Sequence, residues 1–259
     1  MSAEKDISLD EKRVYGAKSG TTPVFVATGA GLAHLQVSGD QVGEFSLAYR
    51  GETVDTVVDG SLLGVATPEN ALVEGEDGFV ETGFGPATAV GVSEDALVAA
   101  GGGRVAEYVS DGWTGLGHVD DVRAIEDGMV AAADGVFRYD GTHVGLSDAR
   151  DVAVGREIYA GTEDGLYRLG NGWLGECTAP VRAVASRGER AYAVTDDGDL
   201  LRKEAGAWDA VETPGDAVDV ALGSAVYALT ADATVCVDAG DGFRERSLGL
   251  SDPRRLDAP

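Results

Sequence analysis

Seven near-copies of one short apolar segment, spaced thirty-odd residues apart, restrict this chain to folds assembled from repeated units. The copies are VFVAT at 24–28, LGVAT at 63–67, LVAAG at 97–101, MVAAA at 129–133, IYAGT at 158–162, AYAVT at 191–195 and VYALT at 226–230. Their last residues are Thr28, Thr67, Gly101, Ala133, Thr162, Thr195 and Thr230. The spacing falls a little short of the period of about 40 of familiar propeller repeats, which suits a compact four-stranded unit.

Each copy leads through a turn into a second alternating strand, as in GVFRY at 135–139, GLYRL at 165–169 and LLRK at 200–203. A further turn follows, at Asp77-Gly78-Phe79, Asp111-Gly112-Trp113, Asn171-Gly172-Trp173, Gly206-Ala207-Trp208 and Asp241-Gly242-Phe243. Asn-Gly and Asp-Gly supply the positive φ angles of a two-residue hairpin, and the aromatic opens an outer strand that covers the blade edge. Ahead of each copy stands a short inner strand: VRAI at 122–125, RDVA at 150–153, VRAV at 181–184 and VDVA at 218–221. Helical i, i+3, i+4 patterns are missing, because glycine interrupts the longer runs. The expectation is an all-β chain: one β-propeller of seven four-stranded blades over residues 23–259, after an N-terminal extension at 1–22. Blade one lacks an inner strand of its own. The segment PRRLD at 253–257 reads like one and would close the ring, with KRVYGAK at 12–18 as the other candidate.

The units VRAV…AYAVTDDGDLLR…W at 181–208 and IYAGTEDGLYRLGNGW at 158–173 are similar to blades of the two-component-regulator and sialidase-like propeller superfamily. The whole chain, including ISLDEKRVYGAKSG at 7–20, resembles a family of haloarchaeal β-propeller proteins. That resemblance implies a fold and a salt-rich habitat, and no activity. The run Ser110-Asp111-Gly112-Trp113 is compressed relative to a sialidase Asp-box, so sialidase chemistry does not carry over.

Charge narrows the partners. The chain has 45 acidic and 20 basic residues, a formal charge of −25 and a pI near 4.2, and its lysines are Lys5, Lys12, Lys18 and Lys203 alone. Nucleic acid and anionic membrane surfaces are repelled by such a field. The composition resembles that of proteins from salt-accumulating archaea, which points to the cytoplasm. No apolar run reaches the 18 residues of a membrane span, the charged stretch 1–13 lacks a secretory core, and Cys177 and Cys236 read as reduced thiols.

Recognisable chemistry is scarce. His34, His118 and His143 fall at different strand positions of different blades, so no shared metal site is expected. Asn70 and Asn171 read as turn residues rather than calcium ligands, and neither a G-x-S-x-G elbow nor a P-loop occurs. No cofactor is called for. One constellation stands out: aligned inner strands place Asp55, Thr88, Arg123, Asp151, Arg182, Asp219 and Arg254 at one position of successive blades, a ring of alternating sign in the channel. Such a ring serves as inter-blade salt bridges or, if open, as a site for a polar ligand. The reading favours a non-catalytic platform for another cytosolic protein. Its alternative is a small-ligand receptor or enzyme that uses the channel mouth.

At −25, self-repulsion is screened in molar salt, where the Debye length is about 3 Å, and returns at 0.01 M, where it is about 30 Å. The melting temperature is expected to fall steeply on dialysis into dilute buffer. A salt-independent melting curve would contradict the salt-adapted reading.

Overall fold

The computed structural model describes residues 20–110 and 112–259. These residues form seven four-stranded antiparallel sheets and no helix, arranged as the blades of a propeller. The seven inner strands are Pro253–Asp257 in blade one, then Asp55–Asp59, Ala89–Ser93, Val122–Glu126, Ala149–Val154, Val181–Arg187 and Ala217–Leu222 in blades two to seven. Within every blade the strands follow chain order outward from the channel, except that blade one takes its inner strand from the C-terminus.

The repeated segment is the second strand of each blade, buried on both faces between neighbouring blades, which is why it reads as an apolar run rather than an alternation. Its terminal threonine makes the next turn. Thr28 Oγ1 accepts the N–H groups of Ala30 and Gly31 and donates to the Gly31 carbonyl at 2.7 Å. Thr162 does the same with Asp164 and Gly165. The glycine that opens the third strand is a steric requirement: Gly31 and Gly165 have φ of 145° and 142°, and a Cβ there would lie 2.2 Å from the Tyr49 carbonyl oxygen or 2.1 Å from that of Cys177. In blade four the residue in the threonine slot is Ala132, one earlier than the sequence alignment placed it. Ala132 pairs with Val122 and Gly135, as Thr162 pairs with Ala149 and Gly165.

The outer-strand tryptophans reach sideways to the preceding blade. Trp113 Nε1–H donates to the Thr82 carbonyl at 3.1 Å, Trp173 to that of Val144 at 3.2 Å, and Trp208 to the Glu176 carboxylate at 3.1 Å. Each indole thus buries its ring in a seam and satisfies its one donor there. Phe79 lies within an outer strand, whereas Phe243 stands just before the strand Arg244–Ser247.

The C-terminal segment closes the ring. Phe25, Val26 and Ala27 pair with Asp257, Leu256 and Arg255, and Thr28 with Pro253. Leu256 and Ala258 then join a core that runs from Val24, Val26 and Leu35 of blade one to Tyr227, Leu229 and Val237 of blade seven. The alternative closing segment, 12–18, and most of the extension 1–22 lie outside the described residues. Deleting residues 253–259 should expose the inner edge of the strand Thr22–Thr28 and unseal the seam to blade seven. The truncated chain is expected to aggregate or lose cooperative unfolding in denaturant titrations. Unchanged solubility and midpoint would refute closure by this strand.

Candidate functional site

The inner strands are edge strands, and the way their spare backbone groups are satisfied organises the channel. In blades one, four, five, six and seven the inner strand skips a residue in its pairing with the second strand, a β-bulge that leaves Arg254, Arg123, Arg150, Arg182 and Val218 unpaired. The next residue resumes the ladder. By register this level consists of Arg255, Asp55, Ala89, Ala124, Asp151, Ala183 and Asp219 in blades one to seven.

The alternating ring expected from the sequence is therefore two adjacent levels merged into one. Asp55, Asp151 and Asp219 share a level and are buried, with 4–8% of their surface exposed. Arg123, Arg182 and Arg254 occupy bulge positions one residue earlier, at the mouth where the chain enters the inner strands. There they pair locally: Arg123 with Asp148 at 2.6 Å, Arg182 with Asp196 at 3.6 Å, and Arg254 with Asp252 at 2.6 Å and Glu52 at 2.7 Å. Neither Arg182 nor Arg254 meets the channel aspartates. The neutral member, Thr88, bonds its own blade through the Ala100 carbonyl. The sequence alignment matched VRAI to RDVA by its charged letters, whereas the bulge equates Arg123 with Arg150 and Ala124 with Asp151.

The sequence left Arg254 or Arg255 to approach Asp219 or Asp55, and in the structure it is Arg255 that meets Asp219. Arg255 spans the channel from blade one, with Nη1 3.2 Å from Asp151 Oδ2 and 3.6 Å from Asp219 Oδ1 and Nη2 donating to the Arg123 carbonyl of blade four at 3.3 Å. The two adjacent arginines in PRRLD were a signal for it, since alternation sends successive side chains to different faces. Each aspartate also bridges a seam. Asp55 accepts the N–H of Val90 at 3.0 Å, Asp151 that of Val184 at 2.8 Å and Asp219 that of Leu256 at 2.6 Å, each on the next blade. Burial pushes these carboxyls up, Asp55 to about 6 and Asp219 to about 7, against the opposing pull of Arg255. Their fields in turn raise the Arg255 guanidinium above its ordinary value despite burial.

Arg255 and the three aspartates help to line a channel cavity of about 500 Å³, whose remaining wall is formed by the following inner-strand residues and the C-terminal segment. No bulge residue borders it. The histidines lie elsewhere: His34 stacks on Phe25 with ring centroids 4.7 Å apart, His143 packs on Phe137 and His118 is exposed beside Asp120. Among the described residues no group of three His, Cys, Asp or Glu side chains is arranged to hold a metal ion.

Arg255→Met should leave Asp151 and Asp219 buried without their counter-charge and cost about 3 kcal/mol at pH 8. Arg182→Ala removes a half-exposed surface pair and should cost less than about 1 kcal/mol. Denaturant titration checks both. A larger loss from Arg182→Ala than from Arg255→Met would reverse the assignment of these two arginines.

Several solved propellers share the fold. The computationally designed Ika8 protein superposes with a TM-score of 0.62 at 17% identity, over 92% of this chain and 90% of that one. The WD40 propeller domain of Doa1 gives 0.62 at 12% identity, over 90% and 91%. The extracellular domain of a putative hybrid two-component system, BT4673 of B. thetaiotaomicron, gives 0.61 at 12% identity, over 89% of this chain and 38% of that one. At such identities these likenesses speak for architecture alone. No curated protein matches the chain significantly in sequence. The family model for HVO_0234-like β-propellers, in contrast, matches residues 8–256, and with nearly every blade inside that match the chain belongs to the HVO_0234-like β-propeller family.

Proposed function

We propose that the protein is a non-catalytic platform that holds a partner protein of a salt-rich archaeal cytoplasm against the rim of blades two and three. The observation that carries this reading is the uneven surface. Between Gly51 and His118 the chain has, besides the buried Asp55, eleven acidic residues and one cation, Arg104, whereas eight cations fall between Ala149 and Val211. Val80 and Val109, 51% and 46% exposed, belong to the same acidic sector. Apolar side chains framed by carboxylates suit a partner that presents aliphatic groups among lysines or arginines, with charge guiding the encounter and apolar contact holding it. The channel supports the same reading from the other side, because Asp55, Asp151, Asp219 and Arg255 are occupied with one another and with the blade seams. The family name and the −25 charge support the salt-rich setting.

A second reading, a receptor for a small polar molecule, draws on the channel cavity of about 500 Å³ that Arg255 helps to line, a volume within the usual range of ligand sites. Isolation of the full chain from a native high-salt extract separates the two. The platform reading expects a stoichiometric basic protein that is lost, with at least about tenfold weaker binding, from the triple variant Glu74→Lys, Asp77→Lys, Val80→Lys, while the melting temperature stays put. A partner that binds the triple variant equally well removes the blade two and three rim from the proposal. A retained small molecule and no protein would replace the platform with the receptor.

A further inference from the structure

The channel holds more acid than its one salt-bridged arginine can neutralise, and the acids hold the blades together. Two carboxyls lie just below the Arg255 level. Glu126 of blade four accepts the Val154 N–H of blade five at 3.1 Å, and Asp257 of blade one accepts the Val58 N–H of blade two at 2.7 Å. With Asp55, Asp151 and Asp219 they hydrogen-bond five of the seven blade-to-blade seams, each carboxyl taking an edge N–H that no strand pairs. Among the described residues Arg255 is the sole cation within salt-bridge reach of any of the five. The other cation lining the cavity, Arg187, spends Nη1 on the Leu222 carbonyl at 2.9 Å. Asp59, Glu94 and Asp127 add negative charge at the lower mouth.

Full ionisation would thus set five carboxylates around one close guanidinium in a tube walled by backbone, valine and alanine. Like charges crowded into one channel, Asp55, Asp151 and Asp219 buried and Glu126 and Asp257 half-buried, do not all ionise near neutrality. Burial pushes Asp257 and Asp219 up to about 7 and Asp55 to about 6, and it raises Glu126 and Asp151 as well. A protonated carboxyl keeps an oxygen free to accept the same edge N–H, so protonation removes repulsion and leaves the seam bonds in place.

We propose that the channel carboxyls form a proton-dependent clasp on the ring, which grips neighbouring blades at mildly acidic pH and is loosened above neutrality as its members charge against one another. The direction follows from linkage. A carboxyl raised on folding binds its proton more tightly in the native state, so its contribution is full below the unfolded value near 4 and is lost as pH rises through the folded value near 6 to 7. Within that window the folding equilibrium weakens roughly tenfold per pH unit for each proton retained. An opposing trend sets in below about pH 4.5, where surface carboxylates held low by their partners lose them: Glu157 by Tyr159, Lys203 and Arg168, Asp148 by Arg123.

The test is the stability of the full chain from pH 8.5 to 4 in molar salt, which screens the acidic exterior and leaves buried groups largely unscreened. Stability should climb from pH 8 to about 5 and then fall. The double variant Asp219→Asn, Asp257→Asn, which retains the accepting oxygens, should exceed the wild type at pH 8 and lose much of the slope. Amide exchange on the wild type, corrected for intrinsic rates, adds a local readout: the Val58 and Leu256 N–H groups should open more readily at pH 8 than at pH 5.5, relative to strand amides of the blade interiors. A flat profile in molar salt overturns the clasp, as does an Asn variant with the full wild-type slope, or exchange at Val58 and Leu256 that merely tracks the interior.

Discussion

The ring depends on a single noncontiguous strand pairing, between Pro253–Asp257 and Thr22–Thr28. Every other blade is a local meander of four strands joined by short turns, and its contacts form between residues close in sequence. Blade one alone joins the two ends of the described chain. That pairing carries Arg255 into the channel, where it touches Asp151 of blade five, Asp219 of blade seven and the Arg123 carbonyl of blade four. Closure and the central charge cluster are thus one event. Until the last strand docks, the aspartates have no counter-ion and the Asp219 carboxylate no Leu256 N–H to accept.

A propeller meets the edge-strand problem seven times at its axis, since each inner strand has one side without a partner strand. The carboxyls satisfy part of that backbone in a directed way: each accepts from the following blade and so ties the seams in one rotational sense. The arrangement uses acids where a typical core uses apolar residues, and burial charges for it in raised proton affinity. Around the outside the seams are tied in the opposite sense, where Trp113, Trp173 and Trp208 reach back to the blade before. Inner carboxyls reaching forward and outer indoles reaching back resist sliding of one blade over the next.

The surface divides the same ring unevenly. Blades five and six contain a connected set of charges in which Lys203 sits over the rings of Tyr159 and Trp208 and bonds Glu176 at 2.8 Å, while Arg168 holds the other oxygen of Glu176 at 2.7 Å. Blades two and three carry almost unopposed acid. Solubility alone does not call for this segregation, which is why the proposed partner is placed against the acidic sector with its exposed valines.

Blade number and strand order within a blade were legible in the sequence, because they rest on local chemistry, whereas for closure the sequence offered two segments, 253–257 and 12–18, and it is the folded ring that pairs the first with Thr22–Thr28. The threonine that accepts two turn N–H groups, the glycine that alone tolerates the close carbonyl and the Asp-Gly or Asn-Gly turns recur with the period of the fold. The channel was legible in part: three of its aspartates were singled out, together with three arginines that belong to the mouth. Side chains alternate along a strand, so one unpaired residue at a bulge exchanges which neighbour faces the axis, and the letters VRA and RDV align equally well in either register. Only the folded sheet chose between them. The sequence by itself determined the repeated unit and its count, since those are properties of residues within a few positions of one another. The tertiary structure decided that Arg255, and not Arg254, meets Asp151 and Asp219, because that contact joins three blades far apart in the chain and exists only in the closed ring.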